Sequence, residues 1–228
     1  MEHTLLKAEK RCYQIFGILF LLFLLYTYLT YSENSITTSA KVVEKQKVSI
    51  TFDDGPHPVY TKQLLEGLRE RGVVATFFVT GEHAKLYPEL IEEMAEDGHL
   101  VGNHTYHHVQ LSAVGDELFI KELEETTRVL SEILGEEILF VRPPFGEWTK
   151  EIEAKCEMFP VLWDIDPLDW CNENVDEIVT KVVTDVQEND IILMHDEYAS
   201  SIEAALQIVD ILMAQGYEFV TVDELILN

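Results

Sequence analysis

Two adjacent carboxylates and a pair of histidines have the residue types and the spacing of a metal site. Asp53 and Asp54 follow a short apolar segment, and His104 and His108 lie four positions apart further along the chain. Two imidazoles and one carboxylate suit a divalent transition metal, and three protein ligands leave coordination positions for water and substrate. We therefore expect Asp54, His104 and His108 to bind one metal ion, with the two histidines on one face of a helical turn.

Two alternatives to this interpretation stay open. His107 lies in the same stretch and competes with His108 for the second histidine position. The segment Asp53-Asp54-Gly55-Pro56 also has the composition of an ordinary turn, because Asp, Gly and Pro are turn formers. The histidine pair alone is weak evidence for a metal site. A carboxylate at a neighbouring strand end strengthens this interpretation.

Further ionisable residues indicate acid–base chemistry beside the metal. Asp53 is expected to stay ionised and to act as a general base, because a metal at Asp54 and the guanidinium of Arg142 would balance its charge. His195 follows a buried-looking apolar segment and is expected to act as a general acid. Asp166 is expected to accept one of its ring N–H groups and to favour the imidazolium form. A structural core histidine is the alternative for His195.

These residues follow short apolar segments that alternate with amphipathic ones. The predicted strands are residues 47–52, 73–80, 99–104, 138–142, 160–165, 190–194 and 217–222. The predicted helices are residues 61–70, 88–97, 116–134, 175–187 and 201–214. The alternation predicts an α/β fold with a largely parallel sheet, either a barrel or doubly wound. Chemistry in such folds lies at the carboxyl ends of strands, so ionisable groups after five strands indicate an active site.

A long uncharged stretch precedes the predicted domain. Residues 12–32 are 21 residues without charge; at about 1.5 Å per residue they reach about 30 Å, one hydrocarbon thickness. Lys7, Lys10 and Arg11 precede the stretch and favour a cytoplasmic N-terminal side. We expect a cytoplasmic tail (1–11), a transmembrane signal-anchor (12–32), a stalk (33–46) and an extracellular catalytic domain (47–228) on the cell membrane. Secretion after signal-peptide cleavage is the alternative.

The composition excludes several classes of protein. Sixteen Lys+Arg against 42 Asp+Glu give a net charge of −26, and such a chain repels nucleic acids. A hydrophobic content of 47% argues against intrinsic disorder. The 3 cysteines have no spacing typical of a disulfide framework, and a bridge between Cys156 and Cys171 stays open. The oligomeric state cannot be read from the sequence.

Five blocks of the sequence resemble, in order, the motifs of the polysaccharide deacetylases, carbohydrate esterase family 4. The blocks are TFDDGP at 51–56, HTYHH at 104–108, RPPFG at 142–146, DPLDW at 166–170 and LMH at 193–195. The resemblance covers about residues 47–226 and implies a distorted, incomplete (β/α) barrel with about seven parallel strands. Phe145 stands where the family often has Tyr, but the implied role of this position uses the main-chain amide.

The resemblance implies a role for each of these motif residues. It makes Asp53 the base, held by Arg142, and His195 the acid, with Asp166 as its partner. The implied metal ligands are Asp54, His104 and His108, and the expected ion is Zn²⁺, with Co²⁺ or another divalent transition metal as the alternative. The implied substrate and oxyanion contacts are Pro144, Phe145, Trp170 and Leu193.

The activity implied by the resemblance is metal-dependent hydrolysis of N-acetyl groups on a polysaccharide. An outward-facing anchor makes peptidoglycan N-acetylglucosamine the first expected substrate, with N-acetylmuramic acid next. The alternatives are an O-acetyl esterase acting on xylan or another glycan, and a deacetylase of chitin or poly-N-acetylglucosamine. A catalytically idle wall-binding module on the same fold would have broken motifs, whereas all five are intact here.

Overall fold

Seven parallel strands form the centre of the part of the chain that begins at Lys45. They are β1 (Gln46–Asp54), β2 (Thr76–Val79), β3 (Leu100–Asn103), β4 (Phe140–Val141), β5 (Phe159–Pro160), β6 (Ile191–His195) and β7 (Tyr217–Phe219). Their order is β5-β4-β3-β2-β1-β6, and β7 pairs with the first residues of β1. Seven parallel strands at or overlapping the expected places confirm the α/β prediction, although β2, β3, β4, β5 and β7 are shorter than predicted.

The computed structural model describes residue 18, residues 21–27 and residues 45–227. Residues 21–27 are helical, and their side chains are exposed. The predicted cytoplasmic tail lies outside the described residues, as do most of the predicted anchor and stalk. Among the residues that are described, no helix combines the length and the apolar character needed to cross a membrane.

Helices connect the strands. Within residues 45–227 they are α1 (Tyr60–Arg71), α2 (Gly81–Leu86), α3 (Pro88–Glu96), α4 (Leu111–Val114), α5 (Asp116–Leu134), α6 (Lys150–Glu153), α7 (Val175–Asp185), α8 (Ala199–Gln215) and α9 (Val222–Ile226). The five predicted helices correspond to α1, α3, α5, α7 and α8. Helix α5 ends at Gly135 with a φ of 72°, a left-handed conformation that glycine adopts without steric cost.

The chain after β5 joins the two edges of the sheet. Ile165 forms a single parallel bridge with Ile192 of β6, and Leu193 N–H donates to the Ile165 carbonyl at 2.9 Å. The predicted strand 160–165 is therefore split, because its first residue pairs with β4 and its last residue pairs with β6. The sheet closes through this one bridge into an irregular ring, which agrees with the distorted barrel that the motifs imply.

Alternating side chains of β1 give the ring two different faces. Val48, Ile50 and Phe52 are buried within the main apolar cluster, which also contains side chains of the surrounding helices. Thr51 and Asp53 are also buried but face the opposite way, since successive strand residues point to opposite sides. Burying each large aliphatic side chain contributes about 1.5–3 kcal/mol, so the apolar face anchors the strand that presents Asp53 inward.

Candidate active site

The ionisable motif residues lie at the carboxyl ends of neighbouring strands. Asp54 ends β1, His104 follows β3, Arg142 follows β4 and His195 ends β6. Parallel strands direct these ends to one edge, so the side chains converge there as the sequence predicts. A cleft of about 370 Å³ opens at this edge. Its lining consists of Asp53, Asp54, His104, His108, Pro143, Phe145, Trp163, Asp166, Trp170, Leu193, His195 and Tyr198.

Asp54, His104 and His108 form a cluster with the donor atoms of a metal site. Asp54 Oδ1 lies 3.4 Å from His104 Nε2 and 3.4 Å from His108 Nε2. Asp54 Oδ1 is buried and has no hydrogen-bond partner among the described residues, an arrangement that a cation would relieve. Burial raises the pKa of Asp54, but the approach of His104 and the charges of His108 and His195 outweigh it and lower the pKa to about 2. The donor set therefore fits a divalent transition metal.

The orientation of His104 leaves one ring nitrogen free to bind a metal. His104 Nδ1 lies 2.6 Å from the main-chain carbonyl oxygen of Arg142. A carbonyl oxygen only accepts, so Nδ1 carries a proton, and Nε2 is the ring nitrogen that faces Asp54 and would bind the metal. Such a second hydrogen bond fixes the tautomer and ring orientation of metal-binding histidines in general.

The loop that carries the two histidines is not helical, which corrects the expectation of a helical turn. Thr105 and His108 have positive φ values of 61° and 52°. This irregular backbone, rather than the four-residue helical period, brings His104 and His108 together with ring centroids 4.9 Å apart. His107 does not join the cluster, because its Nδ1 lies 3.0 Å from Glu122 Oε1. This hydrogen bond raises the pKa of His107.

Asp53 is a buried carboxylate held by a buried guanidinium. Arg142 Nη1 donates to Asp53 Oδ1 at 2.8 Å and to Thr51 Oγ1 at 2.6 Å. The remaining guanidinium nitrogens donate to the carbonyl oxygens of Val161 and Leu162. Burial lowers the pKa of Arg142 while the Asp53 carboxylate opposes this effect. The second carboxylate oxygen of Asp53, Oδ2, lies 3.7 Å from His104 Nε2 and thus beside the metal cluster.

The partner of His195 is Asp169, and the prediction of Asp166 for this role is wrong. His195 Nδ1 lies 2.9 Å from Asp169 Oδ1, and the His195 main-chain N–H donates to Asp169 Oδ2 at 2.9 Å. Asp166 instead accepts the Leu168 N–H at 2.8 Å, which closes the turn that directs Asp169 inward. Asp169 is fully buried, whereas Asp166 lines the open cleft.

The environment of His195 favours its charged form. Burial lowers the pKa of His195, but the hydrogen bond and charge of Asp169 and the charges of Asp53 and Asp54 outweigh it. The pKa is therefore raised from 6.5 to about 9. His195 is mostly imidazolium at neutral pH, which is the state required of a proton donor.

Apolar side chains form the walls of the cleft. Phe145 and Trp170 are largely exposed there, and the His108 and Phe145 ring centroids are 5.0 Å apart. Leu193 lies in the lining as predicted. Pro144 does not: it is buried in the 3₁₀ turn Pro144–Gly146, and Pro143 lines the cleft in its place. The Phe145 main-chain N–H is the first one after Arg142, because proline has none.

Several residues in or near the site have no role that the motifs predict. Thr51 contacts Arg142 from two positions before Asp53, and strand alternation is the signal that places it on the same face. Tyr198 reaches the cleft from the residue that precedes α8. Glu122 lies in the middle of an acidic helix, where nothing local distinguishes it from its neighbours. Cys156 and Cys171 are free thiols and do not form a disulfide bridge with each other.

Comparisons with known proteins agree with this geometry. Residues 40–160 match the profile of a family described as Polysaccharide deacetylase. The chain is 38% identical over 192 residues to the peptidoglycan-N-acetylmuramic acid deacetylase PdaC of Bacillus subtilis (strain 168), a match that covers 84% of this chain and 41% of PdaC. It is 36% identical over 187 residues to a peptidoglycan-N-acetylglucosamine deacetylase of Bacillus cereus, which covers 78% of this chain and 87% of that protein.

A solved structure shares the fold. The structure of PdaC from Bacillus subtilis matches with a TM-score of 0.78 and 37% identity, over 80% of this chain and 90% of that chain. The chain spans less than half of the full PdaC sequence, whereas it spans most of the Bacillus cereus protein.

Proposed function

The chain belongs to the polysaccharide deacetylase family, and we propose that it removes N-acetyl groups hydrolytically from peptidoglycan, with N-acetylglucosamine as the first substrate and N-acetylmuramic acid as the second. The observation that carries the proposal is the meeting of three groups in one cleft. These are the Asp54/His104/His108 cluster, the Asp53–Arg142 pair and the Asp169–His195 pair. Together they supply a metal site, a proton acceptor and a proton donor.

Asp54, His104 and His108 would hold the metal through Oδ1 and the two Nε2 atoms, and we propose Zn²⁺, with Co²⁺ as the alternative. A bound divalent metal supplies Lewis-acid chemistry, since it polarises a carbonyl oxygen and acidifies water. The chain's own contribution is a donor set whose buried member, His104, is oriented by the Arg142 carbonyl oxygen so that Nε2 faces Asp54. This fixed orientation reduces the reorganisation needed when the ion binds.

Asp53 is placed to accept the proton of the attacking water. Arg142 holds one carboxylate oxygen, so the second oxygen, beside the metal cluster, remains available. Arg142 is itself fixed by Thr51 and two carbonyl oxygens, so the carboxylate is held in one orientation. Fixing a base in this way avoids the entropic cost of finding the reactive geometry.

His195 is placed to protonate the leaving amine. With a pKa of about 9 it carries the necessary proton at neutral pH. An amide nitrogen leaves poorly without that proton, so His195 should matter more for N-acetyl than for O-acetyl substrates. The Phe145 main-chain N–H would stabilise the oxyanion, while Leu193 and Trp170 would bound the acetyl and sugar pocket.

The location of the enzyme is part of the proposal. The uncharged stretch 12–32 is long enough to span a bilayer, and the basic residues before it favour a cytoplasmic N-terminal side. We infer a single-pass anchor on the cell membrane that holds the catalytic domain outside, next to the wall polymer. Retention of the full chain in the membrane pellet after alkaline carbonate extraction tests this inference; release into the supernatant contradicts it.

Mass spectrometry of wall fragments tests the proposed activity. Purified full-length protein is incubated with muropeptides, chito-oligosaccharides and acetylated xylan, with and without chelator. We expect muropeptides to lose the mass of an acetyl group from the N-acetylglucosamine residue, and we expect chelator to prevent the loss. Faster release from xylan supports the esterase alternative, and unchanged masses in all three substrates with metal-loaded protein contradict the proposal.

A further inference from the structure

The loop that carries the candidate metal ligands has a backbone that must be held from outside. Thr105 and His108 both have positive φ values, which are rare for residues with a side chain and especially for a β-branched one. Such a conformation is strained and persists only where surrounding contacts fix it. The contacts that fix this loop therefore determine where His104 and His108 point.

One side of the loop is held by the first turn of α2. The main-chain N–H groups of Gly81 and Glu82 donate to the carbonyl oxygens of Thr105 and Tyr106 at 3.0 and 3.1 Å. The approach is close, because a Cβ at Gly81 would lie 2.5 Å from Tyr106 Cδ2. These two bonds pair the carbonyl groups of Thr105 and Tyr106. The N–H groups of the loop require other acceptors.

The acceptor is Glu122, on the buried face of α5. Its Oε2 accepts the main-chain N–H groups of Tyr106 and His107 at 3.1 and 2.7 Å, and its Oε1 lies 3.0 Å from His107 Nδ1. Glu122 is only 7% exposed, although the helix around it is rich in exposed acids. Burying a carboxylate is costly unless hydrogen bonds compensate for the lost water. The three polar partners of Glu122 supply this compensation.

The same helix also holds the residue before the loop. Asn103 Nδ2 donates to the Leu123 carbonyl oxygen and to Thr127 Oγ1, and Asn103 Oδ1 accepts the Thr105 N–H at 2.8 Å. Helix α5 thus holds Asn103 before the strained segment and the main-chain N–H groups of Tyr106 and His107 within it. Of the α5 residues that bind this segment, Glu122 is the one with a carboxylate, and it also contacts the His107 ring.

We propose that Glu122 is a positioning residue: by accepting the Tyr106 and His107 N–H groups and holding the His107 ring, it turns His104 and His108 toward Asp54. It acts through the loop and touches neither substrate nor metal. The proposal rests on the proposed function, since it assigns Glu122 a role in the affinity of that metal site. It also explains why His107, which the sequence offers as an alternative to His108, is not a ligand: its ring is bound to Glu122.

Three substitutions at Glu122 separate hydrogen bonding from charge and shape. Glu122→Met keeps the chain length but removes both acceptor oxygens. Glu122→Gln keeps one carbonyl oxygen for the two N–H groups, and its amide can donate to His107 Nδ1. Glu122→Asp keeps the charge but shortens the side chain by one methylene. Glu125→Met and Glu125→Gln are matched controls, because Glu125 lies on the same helix and its side chain is 47% exposed.

The primary measurement is the Zn²⁺ affinity of each purified full-length variant, obtained by competition with a chromophoric chelator. The absorption spectrum of the Co²⁺ form and the unfolding temperature of the metal-free protein are recorded alongside. We expect Glu122→Met to weaken Zn²⁺ binding about 10–100-fold, the range found for groups that orient metal ligands. We also expect it to change the Co²⁺ spectrum, whereas Glu122→Gln and both Glu125 variants stay close to wild type.

Each outcome decides the proposal. A folded Glu122→Met with wild-type affinity and spectrum overturns it, as does equal loss in the Gln and Met variants. A Glu122→Met protein with a lower unfolding temperature and an unchanged Co²⁺ spectrum also overturns it, because the role of Glu122 is then purely structural. If Glu122→Met does not fold, Glu122→Asp carries the test: we expect weakened binding, and unchanged affinity overturns the proposal. Wild-type protein that binds no Zn²⁺ refutes the proposed function instead, so the two failures are distinguishable.

Discussion

Replacing Asp169 with Asn tests whether His195 is the proton donor and Asp169 its partner. Asp169 is buried and contacts both the ring Nδ1 and the main-chain N–H of His195 at 2.9 Å. Asn has nearly the same size and removes the charge, but it keeps only one of the two acceptor oxygens, so its NH2 group faces one of the two His195 nitrogens. The substitution removes the largest contribution that raises the pKa of His195, while burial continues to lower it.

The size of the effect follows from the protonated fraction of His195. With a pKa of about 9, about 97% of the ring is protonated at pH 7.5; with the ordinary value of 6.5, about 9% is. The donor must be protonated, so activity is present below this pKa and is lost as pH rises through it. Protonation alone thus predicts about a tenfold lower kcat/KM at pH 7.5, and any loss of ring orientation adds to it.

The assay is the pH dependence of kcat/KM, which reports the pKa values of the free enzyme, for acetate release from a chito-oligosaccharide between pH 5.5 and 10 with saturating metal. We expect the basic limb of the wild type to lie above pH 6.5, because Asp169 raises the pKa of His195, and to move to lower pH in Asp169→Asn. Asp166→Asn is the matched control, because it removes the same charge from the same turn and should leave the basic limb in place. An unmoved limb in Asp169→Asn, or a moved one in Asp166→Asn, would show that Asp169 is not the residue that controls the protonation of His195.

Three further substitutions test the base, the metal site and the turn behind them. Asp53→Asn should lower turnover by at least about 100-fold, the usual contribution of a general base, while elemental analysis finds wild-type metal content; full activity would contradict the role of Asp53. His104→Ala should lose metal and activity together, and retained metal would remove it from the site. Gly55→Ala would place a Cβ 2.3 Å from the buried Asp196 carboxylate. Urea titration should show a loss of about 1–3 kcal/mol of unfolding free energy that Asp196→Ala partly restores, and strictly additive effects would contradict the clash.

The strands and long helices follow from the sequence because their patterns are local. Helix α5 runs over Asp116–Leu134 as its amphipathic spacing predicts, and all seven strands lie within predicted segments or overlap them. The exception is the segment 160–165, for which the sequence predicts one continuous strand. It divides because ring closure makes the chain leave β4 and pair with β6 at Ile165, a long-range event that local composition does not encode.

The site shows the same division between local and long-range information. The motif residues meet because each follows a strand, which alternation predicts. Asp166 and Asp169 both follow the same segment, and only the turn closed by the Leu168 N–H decides which of them reaches His195. The approach of His104 to His108 depends on positive φ values, and the role of Glu122 depends on contacts between α5 and the loop.

The central claim is that Asp54, His104 and His108 hold one divalent ion beside Asp53. Anomalous diffraction from crystals grown with Zn²⁺, recorded on both sides of the zinc absorption edge, tests it directly. We predict one strong peak in contact with Asp54 Oδ1 and the Nε2 atoms of His104 and His108, whose mutual proximity the structure already shows. A crystal with zinc elsewhere and none at this cluster would contradict the account.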